Sequence, residues 1–250
     1  MKPRDDVQKE PVPEPAPDQK RRRIVLLRSV LTALASWVPV PGVSELFVEY
    51  SRRGLIEHLA REHQIELDEG VVSALLEEPA TASRFSWLAS LGRLLSLVRR
   101  QNRLRRLFAG FQVLSGLETG FRTFETGTLF AHYLGSAHMG QKLQLADAQA
   151  VRKTMIEASA ETEKELLGDA LAGLAMATFQ TALALPGFVW DRVALRSGQP
   201  LSLPEFSAVT ETAQKFVADL RLRNYAKKLA EHFDRKWKGP AVITISPKTN

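Results

Sequence analysis

The segment Leu91–Phe111, with the sequence LGRLLSLVRRQNRLRRLFAGF, contains the pattern that decides the fold class. Its apolar residues recur at every third or fourth position, which is the spacing of one face of an α-helix. Arginines occupy much of the remaining helical surface, and the pattern breaks near Asn102. The apolar positions are Leu91, Leu94, Leu95, Val98, Leu104, Leu107 and Phe108.

The same spacing continues on both sides of this segment, from Lys20 to Lys238. Leucine, alanine, arginine and glutamate are abundant, and all four are favourable in helices. Pro39, Pro41 and Gly42 form a predicted turn, because a proline cannot continue a helix. We therefore predict an all-α protein that folds as a compact multi-helix bundle.

Prolines, glycines and capping residues indicate where the helices begin and end. Asp68 is placed to cap a short helix, and Ser202–Glu205 has the spacing of a capping box. The predicted helices span residues 20–37, 43–63, 69–78, 82–101, 104–134 and 147–167, followed by an uncharged helix to 185, a short helix to 198 and a last helix to 238.

The two ends of the chain differ from this helical region. Residues 1–19 contain five prolines and mixed charges, which predict a disordered tail. Residues 239–250 are assigned to a C-terminal tail. We predict one helical domain over residues 20–238, with two sub-bundles, 20–140 and 147–238, as the alternative.

Basic residues are concentrated in one part of the chain. The net charge is +6, and no acidic residue occurs between Glu78 and Glu118. Such a basic stretch indicates a surface that faces anions, either lipid headgroups or nucleic-acid phosphates. The arginines of this acid-free window are Arg84, Arg93, Arg99, Arg100, Arg103, Arg105 and Arg106.

We interpret most of these arginines as a surface that binds an anionic membrane. A helix with one apolar and one basic face lies in the headgroup plane, where each basic residue contributes ~1 kcal/mol. The alternative is an ordinary amphipathic helix whose arginines are solvated or paired with acids elsewhere. Nucleic-acid binding is disfavoured, because no aromatic residue is interleaved for base stacking. The predicted anion-binding residues are Arg93, Arg99, Arg100, Arg103, Arg105 and Arg106.

Two uncharged stretches, residues 29–44 and 170–190, raise the question of membrane insertion. A membrane-spanning helix needs ~20 predominantly apolar residues. The first stretch is too short before its own turn, and the second is rich in alanine, with threonines and a Pro-Gly pair. We therefore favour buried core helices, with a hairpin that dips into or spans the bilayer as the alternative.

Three glycines, Gly116, Gly120 and Gly127, lie in the predicted helix 104–134. Gly116 and Gly120 are four residues apart and share a face, which permits another helix to approach closely. We interpret all three as helix-packing residues. In the same helix, Glu118, Arg122 and Glu125 have the spacing of an intrahelical ion ladder.

The sequence contains no recognisable catalytic or cofactor motif. It has no cysteine, and the common nucleotide-binding, nucleophile-elbow and zinc-peptidase motifs do not occur. His58 and His63 are five residues apart and point in different directions, so only His58 and Glu62 could share a weak metal. We expect a non-enzymatic protein without metal or cofactor, with an enzyme of unrecognised class as an alternative.

Two segments are similar to a known family. Val38–Gly42 and Thr123–Gly127, followed by Tyr133, resemble a helical, EcsC-like domain appended to some Era-like bacterial GTPases and inner-membrane proteins. The resemblance covers about residues 30–150. It implies membrane association and partnership with a GTPase or a stress-response system. The charges of the ion ladder favour surface attachment over insertion.

These observations predict a helical membrane-surface or scaffold protein, located in the cytoplasm at the inner membrane. Its partner is an anionic membrane surface or another protein. A soluble helical adaptor without lipid contact is the alternative. Arg21–Arg23 before the apolar run Ile24–Val38 resembles an export signal, but Arg28 interrupts the run and an acidic leader precedes it.

Overall fold

A computed structural model describes residues 17–36, 43–77, 103–136, 142–184, 211 and 215–238, with the backbone alone for residues 17, 43, 103–113, 183 and 184. The described residues are almost entirely helical and form a helical bundle, which confirms the predicted fold class. Their main elements are α1 (Pro17–Ala35), α2 (Val43–Glu62), α3 (Glu69–Leu76), α4 (Arg103–Ser136), α5 (Leu145–Ala184) and α6 (Leu220–Lys236).

Helices α1 and α4 pack antiparallel along most of α1. A Cβ atom at Gly120 would lie 2.7 Å from both the Ala33 Cβ and the Ser29 carbonyl oxygen. A Cβ atom at Gly127 would lie 2.7 Å from Leu55 Cδ2, on α2. The absence of side chains at these two positions therefore permits α4 to approach its neighbours closely.

Helices α5 and α6 form the second antiparallel pair. Near one end, the His232 ring nitrogen Nδ1 lies 2.9 Å from the Thr162 hydroxyl, and both residues are buried. Towards the other end, Leu222 covers Gly173. Lys236 of α6 donates a hydrogen bond to Glu161 of α5, and this hydrogen bond lowers the pKa of the Glu161 carboxyl.

The short helix α3 packs against α5 and against α2. Arg152 on α5 donates a 2.9 Å hydrogen bond to the carbonyl oxygen of Glu77, just after α3. At the other end of α3, Lys142 lies 3.1 Å from Asp68, and residues 66 and 142 form an isolated parallel bridge. Helices α3 and α5 therefore run in the same direction.

The core is one cluster of buried residues with members from all six helices. Its aromatic part joins α4 to α6, where Tyr133 lies against Phe233 and Trp237 with ring centroids 6.4 Å and 5.3 Å away. Burial, and secondarily the negative charge of Asp147, raises the pKa of Tyr133 to about 12. The Tyr133 hydroxyl therefore stays protonated at neutral pH.

Several helix boundaries differ from the predicted ones. Helix α5 is one continuous helix to Ala184, although the sequence predicted a division near residue 167. Gly168 does not interrupt it, because an exposed glycine inside a helix costs only about 1 kcal/mol. The last helix begins at Leu220, where the Asp219 carboxylate accepts hydrogen bonds from two backbone N–H groups.

No helix in the described part of the chain has a stretch long and apolar enough to cross a membrane. Where the uncharged stretches fall within α1 and α5, they contribute buried residues to the core, including Val30, Leu34 and Leu174. The predicted turn of Pro39, Pro41 and Gly42, residues 1–16 and the whole predicted C-terminal tail lie outside the described residues. Residues 17–19, predicted to belong to the N-terminal tail, form the first turn of α1. The predicted division into two sub-bundles stays a prediction.

Candidate functional site

Half of the predicted anion-binding arginines lie on the backbone of α4. Arg103, Arg105 and Arg106 occupy its first turns, while Arg93, Arg99 and Arg100 lie outside the described residues. The stretch of α4 from Arg103 to Gly120 is about 25 Å long. Since Gly120 is level with the last turns of α1, this stretch extends α4 beyond the end of α1.

The same end of the bundle is formed by three other helix termini. Ion pairs of Glu62 with Lys20 and Arg21 show that α2 is antiparallel to α1, so α2 begins where α1 ends. The contact of Phe121 with Tyr225, with ring centroids 5.2 Å apart, places the beginning of α6 at this level too. The last turns of α5 reach it because α5 is antiparallel to α6.

Large apolar side chains are exposed at this end. Tyr50, Leu46 and Leu220 have exposed fractions of 72%, 69% and 68%, which are high for residues that normally avoid water. Among the described residues, the remaining exposed large apolar side chain, Leu145, lines a groove together with Glu45 and Glu49 of α2. We call the following set the apolar end: Leu46, Phe47, Tyr50, Met176, Phe179 and Leu220.

Charges of both signs surround the apolar end. Glu45 and Glu49 are exposed on α2, next to Leu46 and Tyr50. At the beginning of α6, Arg221 forms a 2.7 Å ion pair with Asp219. The hydrogen bond from Arg221 lowers the pKa of Asp219, which therefore stays ionised and keeps its capping role.

The sequence did not reveal this exposed apolar set. Leu46, Phe47 and Tyr50 occupy helical spacing that is equally consistent with a buried face. They lie in the first half of α2, whereas the buried apolar residues of this helix, such as Leu55 and Leu59, lie in its second half. Only the tertiary arrangement distinguishes the two halves.

No family model, no curated protein and no solved structure matches this chain. The similarity of residues 30–150 to an EcsC-like domain therefore stays a prediction.

A buried polar cluster connects α4 to α6 and α5. The buried Tyr225 hydroxyl donates a short hydrogen bond to the buried carboxylate of Glu125. One turn earlier, Arg122 donates a 2.7 Å hydrogen bond to Glu118, as the predicted ion ladder requires. On the α5 side, Arg152 lies 3.2 Å from the Thr126 hydroxyl.

This cluster supports a structural role. The enclosed space beside it has a volume of about 30 Å³, which is the volume of a single water molecule and too small for a substrate. Every one of its charged side chains has a polar partner nearby. Its arrangement fixes the register of α4 against α5 and α6.

We expect Tyr225→Phe to lower the free energy of unfolding by about 1–3 kcal/mol, because it leaves the buried Glu125 carboxylate without its tyrosine donor. The double variant Tyr225→Phe, Glu125→Leu should recover part of this loss, since it removes both polar groups. Urea unfolding measures both. Equal stability of Tyr225→Phe and the wild type would contradict this assignment.

His58 and Glu62, the predicted weak metal pair, lie in an ionic contact between α2 and α1. The His58 nitrogen Nε2 is 3.7 Å from a Glu62 oxygen, and Lys20 and Arg21 each lie 3.8 Å from the same carboxylate. Two cations beside Glu62 disfavour a metal ion there. Within the described ranges, no three histidine or acidic side chains are grouped as metal ligands.

A large groove lies between α1 and α6, with α4 as its floor. Its volume is about 540 Å³, within the range of about 300–1,000 Å³ that is typical of small-molecule sites. Val25 on α1 and Phe124 on α4 contribute apolar surface, and His132 and Asp234 lie 2.7 Å apart at its edge.

Proposed function

We propose that this protein is a non-enzymatic helical module that attaches to the surface of an anionic membrane through its apolar end. The arginines of the acid-free window lead into α4 at that end and supply the charge for headgroup binding. We place the protein in the cytoplasm, peripheral to the inner membrane. The resemblance to EcsC-like domains adds a GTPase or a stress-response system as its partner.

One observation supports this proposal above all: the exposed apolar side chains are collected at the end from which the arginine-bearing part of α4 extends. Full burial of one large apolar side chain contributes about 1.5–3 kcal/mol, and each basic residue near an anionic leaflet adds about 1 kcal/mol. A few residues of each kind are therefore enough for reversible attachment.

A soluble adaptor is the second candidate, and a specific observation favours it. Glu45 and Glu49 lie among the exposed apolar residues of α2, and an anionic leaflet would repel them. A protein partner with basic residues around an apolar patch would accept them. The adaptor would use the same apolar end without lipid.

Sedimentation with lipid vesicles separates the two candidates. The wild type should sediment with vesicles that contain phosphatidylserine and remain in the supernatant with phosphatidylcholine alone. Binding should weaken as salt is added, because screening reaches ~8 Å at physiological ionic strength. Replacing Arg99, Arg100, Arg103 and Arg106 by glutamine should abolish sedimentation without loss of helicity.

A matched variant controls for the change in net charge. Glutamine at Lys153, Lys164, Lys228 and Lys238 removes the same charge from exposed positions that lie away from the acid-free window. This variant should sediment nearly as well as the wild type. If wild-type protein stays in the supernatant with phosphatidylserine vesicles at low salt, the membrane proposal fails and the adaptor replaces it.

A further inference from the structure

The groove between α1 and α6 has an apolar interior. Its deep surface is formed by Val25 and Leu26 on α1, Phe124 and Ala131 on α4, and Ala226 on α6. Small side chains on α4 and α6 leave the space open, because alanine fills little of the gap between two helices. The interior therefore suits an apolar group of ligand size.

The acidic side chains on the rim of the groove are each engaged. Asp18 lies 3.8 Å from Arg21, and Asp234 lies 2.7 Å from His132. Glu231 is 3.4 Å from Lys228 and 3.9 Å from Lys227, so one carboxylate serves two ammonium groups. Among the described residues of the rim, no acidic group is left to pair with Arg223.

Lys227 shares the Glu231 carboxylate with Lys228. Arg223 and Lys227 line the same wall of the groove. They are one helical turn apart on α6, where like charges repel each other. Arg223 is exposed and forms no ion pair with any residue that the structure describes. An anionic group beside these two side chains would remove the repulsion and satisfy the guanidinium.

We propose that this groove binds an amphipathic anion, a molecule with one carboxylate or phosphate group and an unbranched apolar chain. The anionic group lies at Arg223 and Lys227, and the chain lies along the apolar interior over Phe124 and Ala131. None of the residues named for this site belongs to the apolar end, and the site does not depend on the proposed membrane attachment.

Isothermal titration calorimetry with dodecanoate tests this site. One equivalent should bind per chain below the micellar concentration. Acetate should not bind, because it lacks the apolar chain, and dodecanol should bind more weakly, because it lacks the charge. Dodecyl phosphate distinguishes the two headgroups, and binding of either anion in the groove supports the proposal.

Two variants test whether the ligand binds in this groove. Arg223→Gln should weaken dodecanoate binding about tenfold, because it removes a charge-assisted hydrogen bond to the carboxylate. Ala226→Phe, which fills the groove, should abolish binding. Circular dichroism checks that each variant keeps its fold, and Arg61→Gln, an exposed change on α2, serves as the charge-matched control.

The proposal is overturned if the wild type does not bind dodecanoate. It is equally overturned if Arg223→Gln and Ala226→Phe, both folded, bind it as the wild type does. The variant with glutamine at Arg99, Arg100, Arg103 and Arg106 should keep dodecanoate binding. Loss of vesicle binding with retained dodecanoate binding would show that the two proposals are independent.

Discussion

Replacing Phe233 by alanine is expected to lower the free energy of unfolding by about 3–5 kcal/mol. The Phe233 ring is fully buried on α6 and stacks on Trp237 with centroids 5.8 Å apart. Its edge contacts join it to His132 and Tyr133 on α4. A cavity at this position would therefore weaken the contact between α4 and α6.

Urea unfolding followed by circular dichroism measures this effect. Phe47→Ala is the matched control, because Phe47 is 43% exposed at the apolar end and loses little packing. We expect it to change stability by less than about 1 kcal/mol, as surface substitutions usually do. Similar losses for the two variants would contradict the assignment of Phe233 to the core.

The second large effect is expected at Gly120. An alanine Cβ there would lie 2.7 Å from the Ser29 carbonyl oxygen and 2.7 Å from the Ala33 Cβ, so the backbones of α1 and α4 would have to separate. Overpacking of this kind costs about 1–3 kcal/mol. Leucine at the same position should prevent the native α1–α4 contact altogether.

Two other glycines provide graded controls. Gly168→Ala on α5 meets no atom within 4 Å and should stabilise the protein by about 1 kcal/mol through helix propensity. Gly127→Ala should cost less than Gly120→Ala, because the atom it meets first is the flexible end of Leu55. Thermal unfolding should rank the stabilities as Gly168→Ala, then Gly127→Ala, then Gly120→Ala. Any other order would contradict the close approach at Gly120.

The sequence was sufficient to predict the helical fold, because helix formation leaves a local periodic signal. The second helix was predicted over residues 43–63 and spans Val43–Glu62, and the fifth was predicted over residues 104–134 and spans Arg103–Ser136. Local sequence patterns predicted the ends of the helices less reliably than their existence. Asp68 stands at the beginning of α3, as predicted, but its carboxylate faces Lys142 instead of the helix backbone.

Features that depend on distant residues could not be predicted. Tyr225 and Glu125 are separated by a hundred positions, and nothing in either local pattern indicates their hydrogen bond. The groove depends in the same way on the spacing of α1, α4 and α6. Arg223 and Lys227 look like ordinary solvated residues of an amphipathic helix until the neighbouring helices show that they line a common wall.

During translation, the apolar face of α1 is made well before its main partner. At about 5–20 residues per second, the ribosome needs about 5–20 s to extend the chain from Ala35 to Ser136, the end of α4. Val25, Val30 and Leu34 therefore stay uncovered on the nascent chain until α4, which packs over them in the folded protein, has been synthesised. We expect this interval to make the growing chain a substrate for ribosome-associated chaperones.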